Sequence, residues 1–301
     1  GRHAISIGGW EPDRFITIIG NTLDIEYAAG CIDQHGNSQF ITYANNMIKG
    51  GMSVAGIDIE ITGNTFTGSD AILLYSADAG NRVSQYFIFS NNVSYSGTVQ
   101  LNMYNNTLND VVIEGNKLRT LGIYGLSTGS YTSYINNLIV QNNYLTFFSL
   151  RTDNAAYTPY FYVKNVKICN NNYVNSTSAY GAIEVRWMTA DNVVCNDNST
   201  YTDFYQGHSG IEICDGNFGK IFCNHNYIYN KQIAYYPIYL FATDYVEFCN
   251  NTIDNQELYG GVYITANDIL YSNNKRYRCA GNIVLTGKYY EAITGESNVK
   301  T

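Results

Sequence analysis

Apolar and polar positions alternate in short segments that recur along the chain, and each segment ends in an asparagine. Ile16–Asn21 (ITIIGN) shows the rule: apolar residues stand five and three positions before the asparagine, with a variable residue between them. The segments Ile59–Asn64 and Val111–Asn116 repeat it. A two-residue period is typical of a strand with one buried face. We therefore predict a β-strand before each of these asparagines.

The repeat extends over most of the chain at intervals of 18 to 28 residues. The repeated asparagines are Asn21, Asn46, Asn64, Asn92, Asn116, Asn143, Asn171, Asn198, Asn226, Asn251 and Asn274. Such intervals leave too little sequence for a helix in each repeat, so successive strands are expected to stack in parallel as rungs. The predicted fold is all-β: a single-stranded right-handed parallel β-helix, a solenoid of about 10–11 coils.

Each predicted coil has a second strand upstream of the first, seen at residues 181–186, 210–213 and 261–264. Loops of variable length join the two strands, and binding surfaces are often built on such loops. The repeated asparagine is expected to adopt the left-handed conformation at a bend, and its side chain to bond the backbone or the next asparagine. We predict one domain, residues 1–301, as a fragment of a longer chain, with an irregular C-terminal end over residues 275–301.

The amino-acid composition argues against nucleic-acid, membrane and metal partners for this fold. The chain is 45% hydrophobic, enough for a continuous core, but only 14% charged, with a net charge of −8. Without a basic run we expect no nucleic-acid partner, and without a long apolar stretch no membrane insertion. Seven cysteines without a CxxC pair give little support for zinc, so no metal site is predicted. Asp58 and Glu60 on one strand are the only pointer to calcium.

Four of the cysteines, Cys169, Cys195, Cys223 and Cys249, recur once per repeat. Unpaired cysteine behaves as a small buried hydrophobic residue. We therefore predict that these four occupy stacked core or turn positions.

Two carboxylates share one phase of the repeat. Glu184 and Glu212 each stand 14 residues before a repeated asparagine, so they are expected to face outward on adjacent rungs, about 4.8 Å apart. Repulsion would raise the pKa of one of them, which allows an acid and a base or nucleophile to coexist, as in retaining glycosidases. The alternative is a solvated strand face on which Arg186 balances both charges.

Further side chains on the same stripe suit a sugar ligand. Aromatic faces pack on sugar rings, and guanidinium groups pair with acidic sugars. The candidate substrate-binding residues are Arg151, Arg186, Trp187, Asp215, Tyr239 and Tyr263.

A second constellation lies near the start of the chain, in residues 30–36 (GCIDQHG), with Tyr27 before it. The stretch resembles the Asp-Pro-His motif of alginate C5-epimerases, although Gln34 stands in place of the proline. The resemblance implies that Tyr27 and His35 transfer protons at the sugar C5 while Asp33 positions or neutralises the carboxylate. The structural alternative is that Asp33 bonds His35 or His3 and ties down the first coils.

The repeat as a whole resembles pectin-lyase-like β-helices, and residues 2–5 (RHAI) followed by Asp33-x-His35 resemble β-helix segments of bacteriophage tailspike and receptor-binding proteins. The resemblance implies an extracellular or virion-associated tail protein whose partner is a polysaccharide or cell-surface glycan. It also implies solenoid ends covered by neighbouring segments or by homotrimer formation.

Three functions follow as hypotheses. The first is a polysaccharide depolymerase, either a hydrolase using Glu184 and Glu212 or a lyase using Tyr27, Asp33 and His35. The second is a non-catalytic glycan-binding or structural spike. The third is a uronate C5-epimerase.

Overall fold

The computed structural model describes residues 3–8, 13–25, 31–36, 38–68, 72–76, 83–126, 132–152, 160–175, 181–202, 210–230, 237–255, 261–279 and 281–292. This part of the chain is all-β, with thirty strands that pair in parallel in one sheet. The sheet winds into a right-handed solenoid, as predicted. Each coil contributes to three faces, which we number in chain order from the strand that precedes the repeated asparagine.

The first face carries the strands that end just before the repeated asparagines, together with the last described strand, which extends the same ladder. They are β2 (Arg14–Ile19), β5 (Gln39–Ala44), the C-terminal part of β7 (Met52–Thr62), β10 (Val83–Ser90), β12 (Thr107–Glu114), β14 (Ser133–Gln141), β17 (Phe161–Cys169), β20 (Thr189–Asn196), β23 (Asn217–Phe222), β26 (Tyr245–Cys249) and the C-terminal parts of β28 (Val262–Ser272) and β30 (Ile283–Ala292).

The second face follows directly after the asparagines and consists of short strands. They are β3 (Thr22–Asp24), β6 (Met47–Lys49), β8 (Thr65–Phe66), the N-terminal parts of β11 (Val93–Met103) and β13 (Lys117–Gly125), β15 (Tyr144–Leu145), β18 (Asn172–Asn175), β21 (Ser199–Thr202), β24 (Tyr227–Asn230), β27 (Thr252–Asn255) and β29 (Lys275–Tyr277). The sequence pattern predicted two strands per coil and missed this third one, because segments of two to four residues are too short to show alternation.

The third face closes the coil and includes the predicted upstream strands. It contains β1 (Ile5–Ile7), β4 (Ile32–Gln34), β9 (Ile72–Ser76), β16 (Phe147–Thr152), β19 (Ile183–Arg186), β22 (Ile211–Cys214), β25 (Ile238–Phe241), the N-terminal parts of β7, β28 and β30, and the C-terminal parts of β11 and β13.

The apolar positions of the repeat form the core. From Ile41 and Tyr43 onward, the residues five and three positions before every repeated asparagine are buried. Ile16 and Ile18 in β2 are only partly buried and pack against this core, because they lie on the first rung of the first face. The predicted one-sided burial of these strands is confirmed.

The repeated asparagines form a continuous hydrogen-bonded ladder inside the coil. Both the backbone N and Nδ2 of Asn143 donate to Oδ1 of Asn171 at 3.0 Å, and Nδ2 also donates to the Ile113 carbonyl at 2.9 Å. The contact from each asparagine to the next recurs at every step from Asn21 to Asn274. Such pairing offsets the cost of burying a polar side chain.

The left-handed bend lies one residue earlier than predicted. The repeated asparagine itself does not have a positive φ; the residue before it does, with φ between 52° and 69° in every coil. These bend residues are Gly20, Asn45, Gly63, Asn91, Gly115, Asn142, Asn170, Asp197, His225, Asn250 and Asn273. They are residue types that tolerate this conformation. His225, with a φ of 56°, is one of these bend residues and has no catalytic assignment.

Two strands continue the ladders beyond Asn274, where the loss of the asparagine spacing predicted an irregular end. Lys275–Tyr277 pairs with β27 and Ile283–Ala292 with β28. Backbone pairing extends the sheet here without a further asparagine, so the prediction is wrong for these strands.

Six of the seven cysteines are buried, Cys279 is partly exposed, and they do not form a bonded set. All seven lie within the described part of the chain and are unpaired thiols. Cys195 and Cys223 occupy the inward position three residues before the asparagine, whereas Cys169 and Cys249 stand one residue later. The predicted buried character of these four residues is confirmed, but they belong to two columns rather than one.

Candidate functional site

The register of the third face brings Glu184 and Glu212 together as predicted. Glu184 in β19 pairs directly with Glu212 in β22, and Ser149 precedes them in the same column. Tyr239 and Tyr263 follow on the next two rungs. The column points outward, because the residues on either side of each glutamate belong to the core.

Glu184 lies at the bottom of the site and is only 1% exposed. Ser149 Oγ donates to its Oε2 at 2.9 Å. Its Oε1 lies 3.5 Å from Arg186 Nη1 and 3.8 Å from Arg151 Nη1. A buried carboxylate is tolerated only when it is paired. Glu184 therefore forms ion pairs with two guanidinium groups, without a hydrogen bond from either to its Oε1.

Arg186 is the centre of the charged network. Its Nη2 donates to Asp215 Oδ2 at 2.6 Å, and its Nη1 lies 3.6 Å from Glu212 Oε1. Burial lowers the pKa of Arg186, but the Asp215 hydrogen bond and the negative charge of Glu212 outweigh burial, so the pKa is raised. The Asp215 side chain is 46% exposed and that of Glu212 is 11% exposed. These two carboxylates face solvent more than Glu184 does.

The ring of Trp187 lies against both arginines. The Arg186 and Arg151 guanidinium carbons lie 4.8 and 5.3 Å from its ring centroid, within the range of a cation–π interaction. Trp187 and Asp215 occupy equivalent bends, with φ of 51° and 54°, and Trp187 N donates to the Asp215 carbonyl. The corner between two faces therefore presents both side chains beside Arg186.

A pocket of about 430 Å³ opens next to this network. It is lined by Asp215, Gly216, Asn217, Tyr239 and Phe241. A Cβ on Gly216 would lie 2.4 Å from the Met188 carbonyl oxygen, so the tight bend requires glycine. The sequence reasoning named Asp215 and Tyr239 but missed the other three residues; the Asp-Gly dipeptide after a strand was the available signal for Gly216.

Two neutral groups border the carboxylates. Cys214 Sγ donates to Glu212 Oε1 at 3.4 Å, and burial with the charge of Glu212 raises the pKa of this thiol. Burial, followed by electrostatic interactions with Cys214 and with the charged Asp215, also raises the pKa of Tyr239. The Tyr239 ring stacks on Tyr263, with centroids 5.1 Å apart. The site thus combines a carboxylate–arginine network with a tyrosine wall.

The second constellation places one carboxylate between two imidazoles. Asp33 Oδ2 lies 3.2 Å from His35 Nε2 and 3.7 Å from His3 Nε2. The His35 side chain is 57% exposed and that of Asp33 is 23% exposed. The same geometry is expected whether His35 transfers protons or Asp33 links the first coils through hydrogen bonds to the two histidines. Tyr27 lies outside the described residues.

The two constellations are separate sites on one face. Successive pairings lead from Asp33 to Glu184 in six rungs, a distance of about 29 Å at the usual strand spacing. Glu212 is a further rung away. No single sugar can contact both groups, so variants in each test a different hypothesis.

The pair Asp58 and Glu60 does not form a cation site. Asp58 has a φ of 56°, and its Oδ1 accepts hydrogen bonds from Ser84 Oγ, Gln85 N and Tyr86 N. The carboxylate therefore caps a bend. Across the described ranges, no cluster of three or more His, Cys, Asp or Glu residues could hold a metal ion.

The chain matches no protein-family model, no curated protein sequence and no solved structure. In the residues that the structure describes, no helix has the length and apolar character needed to cross a membrane.

Proposed function

We propose that the protein binds a polysaccharide on the third face and hydrolyses it beside the pocket at Asp215. The observation that carries this proposal is that Glu212 and Asp215 share the guanidinium of Arg186, and that Asp215 also lines a pocket of about 430 Å³. A β-solenoid is compatible with carbohydrate-binding and spike proteins.

The chemistry of the walls favours a sugar ligand. The stacked rings of Tyr239 and Tyr263 offer an apolar surface with polar tips, which suits the mixed faces of a pyranose. Arg186 is already engaged by Asp215 and Glu212. Arg151 has one longer ion-pair contact, 3.8 Å to Glu184, so Arg151 supplies the forked N–H donors that match a uronate carboxylate. An acidic polysaccharide is therefore the substrate class that the site fits best.

Hydrolysis would use the two more exposed carboxylates. One donates a proton to the glycosidic oxygen as the bond breaks; the other activates water or attacks the anomeric carbon before water completes the reaction. Glu184 was assigned with Glu212 from the sequence. Because Glu184 is 1% exposed and paired with Arg151 and Arg186, we now propose that it positions these arginines, and that Asp215 takes its catalytic role.

The test is incubation with a panel of acidic and neutral polysaccharides, following new reducing ends and the ultraviolet absorbance of unsaturated uronates. Hydrolysis raises reducing ends alone. Glu212→Gln and Asp215→Asn should each lower the rate by about 100-fold or more, as expected for loss of a general acid or base. Asp110→Asn, an isosteric change on the first face, should leave the rate unchanged. Losses below tenfold in both site variants reject the assignment. Binding without any product would favour the non-catalytic spike.

A second candidate activity, elimination or C5 epimerisation of a uronate, is favoured by the exposed imidazole of His35 beside Asp33. An imidazole oriented by a carboxylate can accept the proton at C5. His35→Ala should then abolish the uronate absorbance or the deuterium exchange at C5. His225→Asn is the matched control, because other coils carry asparagine at that bend. Full activity in His35→Ala would dismiss this candidate.

A further inference from the structure

The outward positions of the second face are basic and aromatic, although the whole chain is acidic. The chain has 17 Lys and Arg against 25 Asp and Glu. On the second face the acids are Asp24 and Asp254. Its outward basic residues, with Arg278 directly after β29, are Lys49, Lys117, Arg119, Lys275 and Arg278. The face therefore carries an excess of positive charge.

Both acids of this face are already paired. Lys49 Nζ lies 3.1 Å from Asp24 Oδ1, and Arg278 binds Asp254 through both Nε and Nη2. Within the described residues, Lys117, Arg119 and Lys275 have no acidic partner. Three solvent-exposed cations are thus left to attract an external anion.

Exposed tyrosines accompany these cations. They are Tyr95, Tyr144, Tyr201, Tyr227 and Tyr277. Lys117 Nζ lies 4.9 Å from the Tyr95 ring centroid and 5.6 Å from that of Tyr144. Tyr201 stacks on Tyr229 with centroids 4.8 Å apart and planes at 7°. Aromatic groups that combine an apolar body with a polar hydroxyl suit the mixed apolar and polar faces of a sugar.

The parallel register arranges these groups as a straight track. Lys117, Tyr144, Tyr227 and Lys275 belong to one column of paired positions. Six rungs separate Lys117 from Lys275, which is about 29 Å along the solenoid axis. An extended polymer can follow such a track, whereas a compact ligand would contact only a part of it.

We propose that this second-face stripe binds an anionic polysaccharide chain lying along the solenoid axis, as a surface separate from the third-face site. The inference rests on the proposed function for the class of partner only. Charge complementarity selects an anionic polymer, and the exposed tyrosines select a carbohydrate over a polymer recognised by charge alone.

The experiment is electrophoresis of the full chain through gels containing polygalacturonate, alginate or hyaluronate, in the Glu212→Gln background so that the polymer is not cut. The triple variant K117E/R119E/K275E should bind at least about tenfold more weakly, because charge reversal turns attraction into repulsion. The control is K164E/K167E/K220E, which makes the same charge change on exposed first-face lysines. This control should keep the retardation of the parent.

A neutral polysaccharide and duplex DNA serve as comparison ligands, which test the requirement for negative charge and for sugar. Methyl-esterified polygalacturonate should retard the protein less than the acid form, and Tyr144→Ala/Tyr227→Ala should weaken binding to both. The proposal is overturned if none of the three acidic polysaccharides retards the protein, if both triple variants weaken binding equally, or if duplex DNA is bound as tightly as the polysaccharides. Cleavage by the parent chain is scored separately, so loss of the third-face function does not alter this readout.

Discussion

Two kinds of buried asparagine occupy the interior of the coils. The ladder asparagines, such as Asn198, have every amide group bonded to the neighbouring rungs. Asn230 and Asn255 are equally buried, yet within the described part of the chain neither Nδ2 nor Oδ1 of either residue has a hydrogen-bond partner. Since burying an unpaired polar group is costly, the same residue type stabilises the coil in one column and weakens it in another.

The contrast predicts opposite effects of one substitution. Asn198→Leu should lower the free energy of unfolding by about 2–4 kcal/mol, because the Ile168 carbonyl and the Asn171 N–H lose their partners. Asn230→Leu should leave that free energy unchanged or raise it, since only unpaired groups are removed. Denaturant unfolding followed by circular dichroism measures both, and comparable destabilisation by the two changes would contradict this account.

At the scale of the strand, β19 and β22 show how one element divides its residues between core and site. Ile183 and Val185 of β19 are buried in the core while Glu184 and Arg186 belong to the charged network. In β22 the position that pairs with Arg186 is Cys214. Burial raises the pKa of this thiol, so the strand places a neutral group between charged ones.

The same burial predicts which thiol reacts. A raised pKa leaves less thiolate at any given pH, and the thiolate is the reactive form. Burial raises the pKa of both Cys214 and Cys279, but Cys279 is the one partly exposed cysteine and the charge of Arg276 offsets part of its rise. At pH 8 we therefore expect iodoacetamide to modify Cys279 before Cys214. Mass spectrometry of the peptides gives the order, with Cys279→Ser as the control. Modification of Cys214 at the rate of Cys279 would be inconsistent with the packed site.

At the scale of the whole molecule, each coil is stabilised by its contacts with the neighbouring coils. Each central strand pairs with a rung on both sides, and the asparagine ladder joins the same coils. Among the described first-face strands, β2 and β30 have a neighbour on one side only. In β2 this leaves Ile16 and Ile18 partly exposed. A solenoid of this kind behaves as a row of units coupled to their nearest neighbours.

We therefore expect amide hydrogen exchange to be slowest in the central strands β14, β17 and β20 and fastest in β2 and β30. Opening from the ends breaks one interface at a time, whereas a central coil is held by two. Exchange measured by mass spectrometry on peptic peptides tests the gradient. Equal protection from end to end would indicate that the coils unfold as one cooperative unit.

The alternation around each repeated asparagine and its spacing were sufficient to predict the parallel solenoid and the pairing of Glu184 with Glu212. Both predictions depend on the period and spacing of residues along the chain, which the sequence contains directly. The second-face strands were missed because two to four residues carry no period. The pocket residues Asn217 and Phe241 were missed because they come together only when two rungs meet at a corner.

The amino-acid sequence was enough to determine which side chains face inward. Side chains alternate between the two faces of a strand, so the face that carries the apolar residues is the one buried in the core. Tertiary structure decided how deeply each outward side chain lies and which charges meet. Glu184 and Asp215 are both acidic residues on or directly after a third-face strand. Coil stacking buries Glu184 beside two arginines and leaves Asp215 at the wall of a pocket. Burial and ion pairing are set by neighbours from other rungs, and this is why the roles of the two carboxylates separate only in the folded molecule.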